Sequence, residues 1–526
     1  MRDMKQTLSI YGAHDCSAVY IDKNEDLKIL EYERLVKKRY AAFSDKLDTR
    51  EGIGSNLEER KKFLNYIKET CYHITKVLHN EISNTDIELI KDFFPDATFF
   101  KKDHHFSHAI CGYRLSGFKE AIILSIDGGG IDSNETVYTR VYHAKDNDIK
   151  TVETYNINLG VPYSFIASPI SEIKPGPDDR YHSLVYAGKV MGLCAYGQIK
   201  NEWIEPLKKF YITNNSSKLG RDINLNLSYN ALSGQSGYDL AATSQKVFEE
   251  YVHALLTSVL NRFNHDIILV GGCALNVLSN QKIYSWLKNN KPNIKLYVPP
   301  NPNDCGLALG QFLTDHPEAV KKANTYCGWD ILDKDKFTNY IEERKATPVT
   351  ITEIVNLIKS GKIIGIIDGC SEVGPRALGN RSIICDPTLS DMKDVLNLKV
   401  KFREWYRPFA PVCRLEDKDL YFEEAPEAVY MSYAPKVKEE YRNVLKAITH
   451  IDNTSRLQTV TEKQHKLFYN ILTELKNRNQ IAVILNTSFN IRGKPILTTL
   501  QDALYVLDNT QLDYVTSNGF LFKKQL

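Results

Sequence analysis

The chain lacks a charge excess: 67 lysines and arginines stand against 65 aspartates and glutamates in 526 residues, a formal net charge of +2. A broad nucleic-acid surface normally carries a basic surplus, which argues against DNA or bulk RNA as a partner. No two of the ten cysteines form a CxxC pair, so neither a structural zinc ribbon nor a disulfide framework is expected. Long hydrophobic runs are missing too. IILSI, IILV and AVIL are strand-length, far below the ~20 residues of a membrane span. The amino-terminal MRDMKQTLSIYG lacks the apolar stretch of a signal peptide, and a cytoplasmic protein without membrane association is expected. Internal sequence repeats and low-complexity tracts are absent. Histidine is scarce, 13 in all, yet three fall within six positions, HHFSHA at residues 104–109.

What is present is an ordinary globular composition, 43% hydrophobic and 25% charged, in a chain too long for one core. Strand-like and helical segments alternate. TLSIYGAHDCSAVYID reads as strand, polar turn, strand, while DIILVGGCALNVLSN and IKLYVPPNPNDCGLALGQFL each read as strand, turn, helix. A polar, charged stretch from about Cys327 to Val349 precedes a fresh helix (ITEIVNLIKSG) and strand (KIIGIID). The expectation is an α/β protein of two domains, residues 1–340 and 341–526.

On a helix, His104 and His108 are four apart and project from one face, while His105 points elsewhere. Two imidazoles one turn apart can close on a divalent ion. A solvated helix start accounts for the spacing equally well. Downstream, AIILSIDGGG ends an apolar strand in Asp127, beside Gly128 and Gly129, whose missing Cβ lets backbone amides approach a phosphate. Asp127 is then either a metal ligand or a water-positioning group. VGGCALN repeats the logic with Gly271, Gly272 and Asn276 ahead of a helix whose amino end favours anions. NPNDCG sets Asp304 in a loop before the next helix. Ligands in α/β sheets collect at the carboxyl ends of strands, where His104, His108, Asp127 and Asp304 could converge. Two imidazoles and two carboxylates suit iron(II), manganese or zinc without selecting one.

The second half is rich in cations among glycine, proline and aromatic residues. SEVGPRALGNRSIICDP carries Arg376 and Arg381; KVKFREWYRPFAP carries Lys399, Lys401, Arg403 and Arg407; THIDNTSRLQTV adds Arg456; ILNTSFNIRGKPI adds Ser488, Asn490 and Arg492. Any one could be a solvated basic loop. Together they offer guanidinium forks that match the oxygens of a small phosphorylated substrate.

GAHDCSA, HHFSHA, SIDGGG, GKVMGLCAYG and GGCALN, followed by GPRALGNRS, RPFAP and LNTSFN, resemble in kind and order the ATP-dependent O-carbamoyltransferases. That family modifies tobramycin, cephamycin-type β-lactams, ansamycins and nodulation factors. The resemblance implies an actin/Hsp70-like (ASKHA) nucleotide-binding domain followed by a YrdC-like α/β domain. In the family the HxxxH pair and two aspartates hold a metal that touches the nucleotide phosphates, which maps onto His104, His108, Asp127 and Asp304, with iron(II) the first choice. ATP with Mg²⁺ is implied as co-substrate, the glycine turns at Gly128, Gly129, Gly271, Gly272 and Asn276 as its contacts. Carbamoyl phosphate contacts fall on Arg376, Lys401, Arg407, Arg456 and Ser488.

The implied reaction has three steps. Carbamoyl phosphate yields carbamate in the second domain, carbamate and ATP give carbamoyl-adenylate and pyrophosphate in the first, and a small hydroxylated acceptor takes the carbamoyl group. His14, in the turn of YGAHDCSA beside Asp15, stands where the family places the residue that activates the acceptor. Capping the turn or binding the nucleotide are its other possible roles. Departures from the family pattern are Ala187 for an acidic residue, LCAYG for LAPYG, Arg39 for lysine, Tyr40 for histidine, and residues 163–186 generally. The last two, Arg39 with Tyr40 and residues 163–186, border the expected acceptor and nucleotide pockets, so acceptor identity transfers least. A tRNA threonylcarbamoyladenosine-type transferase and an inactive carbamoyl-phosphate or nucleotide sensor are the alternatives, and a homodimer is left open.

Overall fold

The computed structural model describes residues 2–44, 53–146, 148–173, 184–491 and 493–525; Arg492 and part of the 163–186 segment lie outside them. The protein is α/β with mixed sheets, and its chain divides into two compact units, Met1–Cys327 and Gly328–Leu526. Among the described residues no helix is long and apolar enough to cross a membrane.

The first unit holds two five-stranded sheets. One is made of β1 (Thr7–Tyr11), β2 (Ser17–Ile21), β3 (Leu27–Glu31), β4 (Lys76–Asn80) and β5 (Thr98–Lys101), in the order β3-β2-β1-β4-β5. The other is made of β6 (Glu120–Asp132), β7 (Glu135–Lys145), β8 (Asp148–Tyr155), β9 (Asp266–Val270) and β10 (Leu296–Tyr297), in the order β10-β9-β6-β7-β8. In both, the first strand is central, an antiparallel meander of two strands extends from one side, and two parallel strands extend from the other. The unit therefore repeats a topology that its sequence does not repeat. Hydrogen-bonded pairing fixes topology through the backbone, so side chains are free to diverge between the copies.

Helix His104–Ser116 follows β5 and packs on the second sheet, with Ala109 and Tyr113 against Ile123, Tyr142, Ile268 and Val270. Its other neighbour is helix Leu307–Asp315, which approaches so closely that a Cβ on Gly310 would lie 1.9 Å from the Ser107 carbonyl oxygen. Only glycine fits there. The helix is consequently buried along most of its length, including its first turn.

The second unit is one eight-stranded mixed sheet: β11 (Thr347–Pro348), β12 (Ile364–Ile367), β13 (Arg381–Cys385), β14 (Ala410–Arg414), β15 (Gln458–Val460), β16 (Ile484–Ser488), β17 (Tyr514–Ser517) and β18 (Phe520–Lys523). The order is β11-β18-β17-β12-β13-β16-β14-β15. Helix Ile351–Lys359 starts at a Thr350–Glu353 capping box and buries Ile354, Val355 and Ile358. Helix Lys466–Asn477 buries Phe468, Ile471, Leu472 and Leu475, the spacing of one helical face. Both stripes meet Ile364, Ile366, Ile384, Val412 and Ile484 of the sheet in one core.

Candidate active site

The first turn of HHFSHA is buried, not solvated: His104, His105 and His108 are at most 1% exposed. His104 and His108 share a face, as their spacing requires, with ring centroids 4.9 Å apart. Their Nε2 atoms lie 3.6 and 3.3 Å from Asp304 Oδ1, and His108 Nε2 lies 3.4 Å from Asp127 Oδ2. One donor atom from each of these four residues lies within 4.8 Å of the other three. Both Nε2 atoms are buried without a hydrogen bond. Buried polar atoms are rarely left so, and a donor set of this type fits a divalent cation. Gly130 leaves room for the His104 ring, since a Cβ there would come within 2.2 Å of it.

Asp127 does not end its strand. β6 runs on through the three glycines to Asp132, and its register with β7 shifts between Ile126 and Gly130. Such a bulge re-aims a side chain without breaking the sheet. Asp127 Oδ1 accepts the Gly128 amide at 2.5 Å, and Oδ2 accepts the Gly272 amide at 2.7 Å. The carboxylate thereby joins both glycine turns to the histidine pair. Gly129 and Gly271 adopt φ of 140° and 87°, accessible to glycine at little cost. Asn276 caps helix Val277–Asn290 by accepting the Ser279 amide, and pairs reciprocally with the Gln245 amide group at 3.0 Å.

His14 joins this group from the β1–β2 turn, with Nε2 3.4 Å from Asp304 Oδ2 and Nδ1 3.3 Å from Asp15 Oδ2. Burial opposes charge on every one of these groups, and neighbouring opposite charge overcomes it. Asp304 and Asp15 raise His14 to about 9; Asp304 and Glu81 raise His104 to about 10; Asp127 and Asp304 raise His108. Against burial, His104, His14 and His108 hold Asp304 far below the carboxylate range; Asp127 is also lowered by His108 and His104, against burial and repulsion from Asp304. By itself the chain balances its carboxylates with protonated imidazoles.

His105 has another task. Its Nε2 donates to the Val137 carbonyl at 2.9 Å, so its Nδ1 accepts from the Ser125 hydroxyl at 2.8 Å. Burial and the neighbouring His104 push it down to about 3, and the neutral ring ties the helix to β6 and β7.

Two neighbours escaped the motif reading. The Tyr11 hydroxyl donates to Asp304 Oδ2 at 2.6 Å, and Glu81 Oε1 accepts from His104 Nδ1 at 3.0 Å. Glu81 directly follows β4, a strand-end position for a carboxylate, but KVLHN is not an apolar run like the one that precedes Asp127. Tyr11 has no such signal; a strand-end tyrosine is ordinary core.

In the second unit the GPRALGNRS loop is shaped by Glu372, whose buried Oε1 accepts the amides of Leu378, Gly379, Asn380 and Arg381 at 2.6, 3.0, 3.1 and 3.3 Å. Gln458 and Asn486 donate to the carbonyls of Leu378 and Ala377. The loop bearing Arg376 is thus pinned from both sides. Arg381 is fully buried and donates to the carbonyls of Asp368, Gly369, Asn380 and Trp329, which makes it a brace. Lys401 follows a π-helical turn and donates to Ser488 O and Asn490 O at 2.5 and 2.6 Å, holding the loop after β16. Arg456 is driven well below the guanidinium range by burial and then by Arg376, Arg403 and Arg407. Arg403 stacks on Phe409 and donates to Asn397. Arg407 has Glu404 at 3.7 Å. Cations crowded in this way have the chemistry to attract an anion.

One other group among the described residues has metal-type donors, Glu120, His143 and His265. There the Lys145 ammonium, 3.1 Å from Glu120, already supplies the cation.

The family described as "Carbamoyltransferase N-terminus" matches residues 48–313, and "Carbamoyltransferase C-terminus" matches residues 355–524. Nodulation protein NolO of Bradyrhizobium diazoefficiens is 30% identical over 460 residues, covering 80% of this chain and 79% of that protein. Nodulation protein NolNO of Sinorhizobium fredii is 31% identical over 80% of this chain, which spans 63% of its length. An uncharacterized protein of Methanocaldococcus jannaschii is 29% identical over 98% of this chain and 99% of its own. With both halves matched in order, the chain belongs to the carbamoyltransferase family of enzymes.

Proposed function

We propose that the protein is an O-carbamoyltransferase that uses carbamoyl phosphate and ATP, forms carbamoyl-adenylate and passes the carbamoyl group to a hydroxyl of a sugar or natural product. The observation that carries this reading is the pairing of two opposite chemistries in one family member. The first unit gathers a cation-type donor set beside glycine turns, and the second gathers guanidiniums around Arg456. The duplicated sheet topology supports an actin/Hsp70-like nucleotide fold for the first unit, and a YrdC-like character for the second belongs to the same reading.

Arg376, Lys401, Arg407, Arg456 and Ser488 are assigned to carbamoyl phosphate. Guanidiniums there bind the phosphoryl oxygens as water releases phosphate and carbamate. In the first unit the glycine turns at Gly128, Gly129, Gly271 and Gly272 leave room for the nucleotide phosphates beside Asp127, which itself takes the Gly128 and Gly272 amides; there the carbamate oxygen attacks the α-phosphorus and pyrophosphate leaves. His104, His108, Asp127 and Asp304 would hold a divalent ion, iron(II), manganese or zinc, whose charge neutralises the polyphosphate. His14 takes the acceptor's proton, the acceptor oxygen attacks the carbamoyl carbon, and AMP departs. A ring held protonated by Asp304 and Asp15 cannot accept a proton, so this role accompanies a cation on Asp304.

The full chain with ATP, Mg²⁺ and carbamoyl phosphate should release pyrophosphate. A panel of hydroxylated metabolites, followed by mass spectrometry, should then reveal a gain of one carbamoyl unit. Absence of carbamoyl-phosphate-dependent pyrophosphate would sink the adenylate route.

A further inference from the structure

We propose that Glu81 is a positioning residue for the cation site: its carboxylate fixes the proton of His104 on Nδ1 and so leaves Nε2 as the metal donor. The inference rests on the metal reading above and adds a residue that the four-ligand set does not contain.

Three observations converge on it. Glu81 Oε1 lies 3.0 Å from His104 Nδ1, and the opposite ring nitrogen, Nε2, is the buried atom without a hydrogen bond that faces Asp304. An ionised carboxylate only accepts, so a proton is specified on Nδ1, and Nε2 is the nitrogen that exchanges its proton for a metal. Second, Glu81 Oε2 lies 3.3 Å from the Tyr11 hydroxyl, which itself donates to Asp304 Oδ2 at 2.6 Å. One side chain thus hydrogen-bonds a histidine of the set and lies beside the tyrosine whose single proton goes to an aspartate of the set. Third, Glu81 has φ of +52°, a region costly for any residue with a Cβ. Gly12, directly after the adjoining β1, accommodates that turn, since a Cβ there would lie 2.6 Å from the Glu81 carbonyl oxygen. A glycine or asparagine at position 81 would suit the backbone better. A glutamate there is explained by what its carboxylate touches.

That strain supplies a test able to separate positioning from folding. The metal-free full chain is titrated with Zn²⁺ against a chromophoric chelator, alongside Glu81→Gly, Glu81→Gln and His108→Ala, with melting temperatures recorded for each. Wild type should bind one Zn²⁺ that His108→Ala abolishes. Glu81→Gly should bind it about ten- to hundredfold more weakly, the usual loss when a partner of a ligating histidine is removed. Its melting temperature should stay close to wild type, because glycine relieves the positive φ. Glu81→Gln should fall between the two, as its amide oxygen accepts the proton without the charge. If wild type shows no His108-dependent Zn²⁺, the metal reading itself fails. If wild type binds Zn²⁺ and either Glu81 variant binds equally tightly, the role of Glu81 is overturned and the metal site stands. Should Glu81→Gly melt early, Glu81→Gln decides: weakened binding at an unchanged melting temperature supports positioning, and unchanged binding refutes it.

Discussion

The two units solve opposite electrostatic problems. In the first, four carboxylates (Asp15, Glu81, Asp127 and Asp304) face three imidazoles, and opposite charge overcomes burial: His14 and His104 rise to about 9 and 10, while Asp304 falls. In the second, Arg456 is surrounded by Arg376, Arg403 and Arg407, and like charge works with burial against its ionisation. A mixed-sign cluster is self-compensated and exchanges protons for a cation. A cluster of guanidiniums with one carboxylate, Glu404, beside Arg407 keeps a positive excess that suits an anion. The scaffolds follow suit. Around the imidazoles, contacts run mainly between side chains; around the arginines, Glu372 and Lys401 grip backbone.

The largest expected effect breaks the first unit at its last step. If His14 is the base, His14→Ala should lower carbamoylated product by about 10²–10⁴-fold, the usual contribution of a positioned base. Carbamoyl-phosphate-dependent pyrophosphate release should persist. Equal loss of both steps would reassign His14 to nucleotide binding or folding.

Next comes the donor set. His108→Ala removes a buried Nε2 that faces both Asp304 and Asp127. Loss of a direct ligand should weaken metal affinity by more than about a hundredfold, exceeding what outer partners contribute. Metal analysis should find substoichiometric content, with binding of carbamoyl phosphate to the second unit unchanged. Full metal content in this variant would falsify the site.

How far the sequence reaches can be judged from these same residues. The helical four-residue spacing put His104 and His108 on one face, and loop position offered Asp304; the structure brings all three together. Asp127 was legible as chemistry but not as geometry, because three glycines read as a strand end where a bulge lets β6 continue. His105 was invisible as a brace, since its partners Ser125 and Val137 lie on strands that only pairing brings near. Glu81 and Glu372 were missed for a related reason: their ligands are a distant ring nitrogen and four backbone amides, neither of which has a residue signature. Topology was legible as strand–helix alternation, and the duplication of a five-stranded sheet was not, because register resides in the backbone.

In the second unit, Arg376→Ala should cost about 1.5–3 kcal/mol in carbamoyl phosphate binding, a loss of more than tenfold, as one charge-assisted contact disappears. Calorimetry should find ATP binding nearly intact. Weakened ATP with spared carbamoyl phosphate would reverse the assignment of the two units.

The smallest effect at neutral pH belongs to His465, and it sharpens the contrast in sign between histidines of the two units. Its Nδ1 accepts the Phe468 amide, capping helix Lys466–Asn477, and its Nε2 donates to Asn380 Oδ1 at 3.1 Å in the arginine-bearing loop. Burial pushes it down to about 4 despite the carboxylate of Glu372. Unfolded, the ring titrates near 6.5, so between about 6.5 and 4 the unfolded chain binds the extra proton. Stability rises with pH wherever the unfolded state holds more protons, so this contribution is complete above about 6.5 and is lost on acidification towards 4. The shift corresponds to at most about 3 kcal/mol. His104 and His14 have the opposite sign in the metal-free chain: their contribution is complete below about 6.5 and is lost as pH rises through about 9 to 10. Hydrogen exchange over residues 379–385 and 466–477, corrected for the intrinsic pH dependence of the amide rate, should therefore accelerate between pH 7 and 5. In His465→Gln that acceleration should shrink, and activity at pH 7.5 should be close to wild type if the glutamine keeps the cap. An equally steep slope in the variant would place the acid sensitivity of the loop in another group.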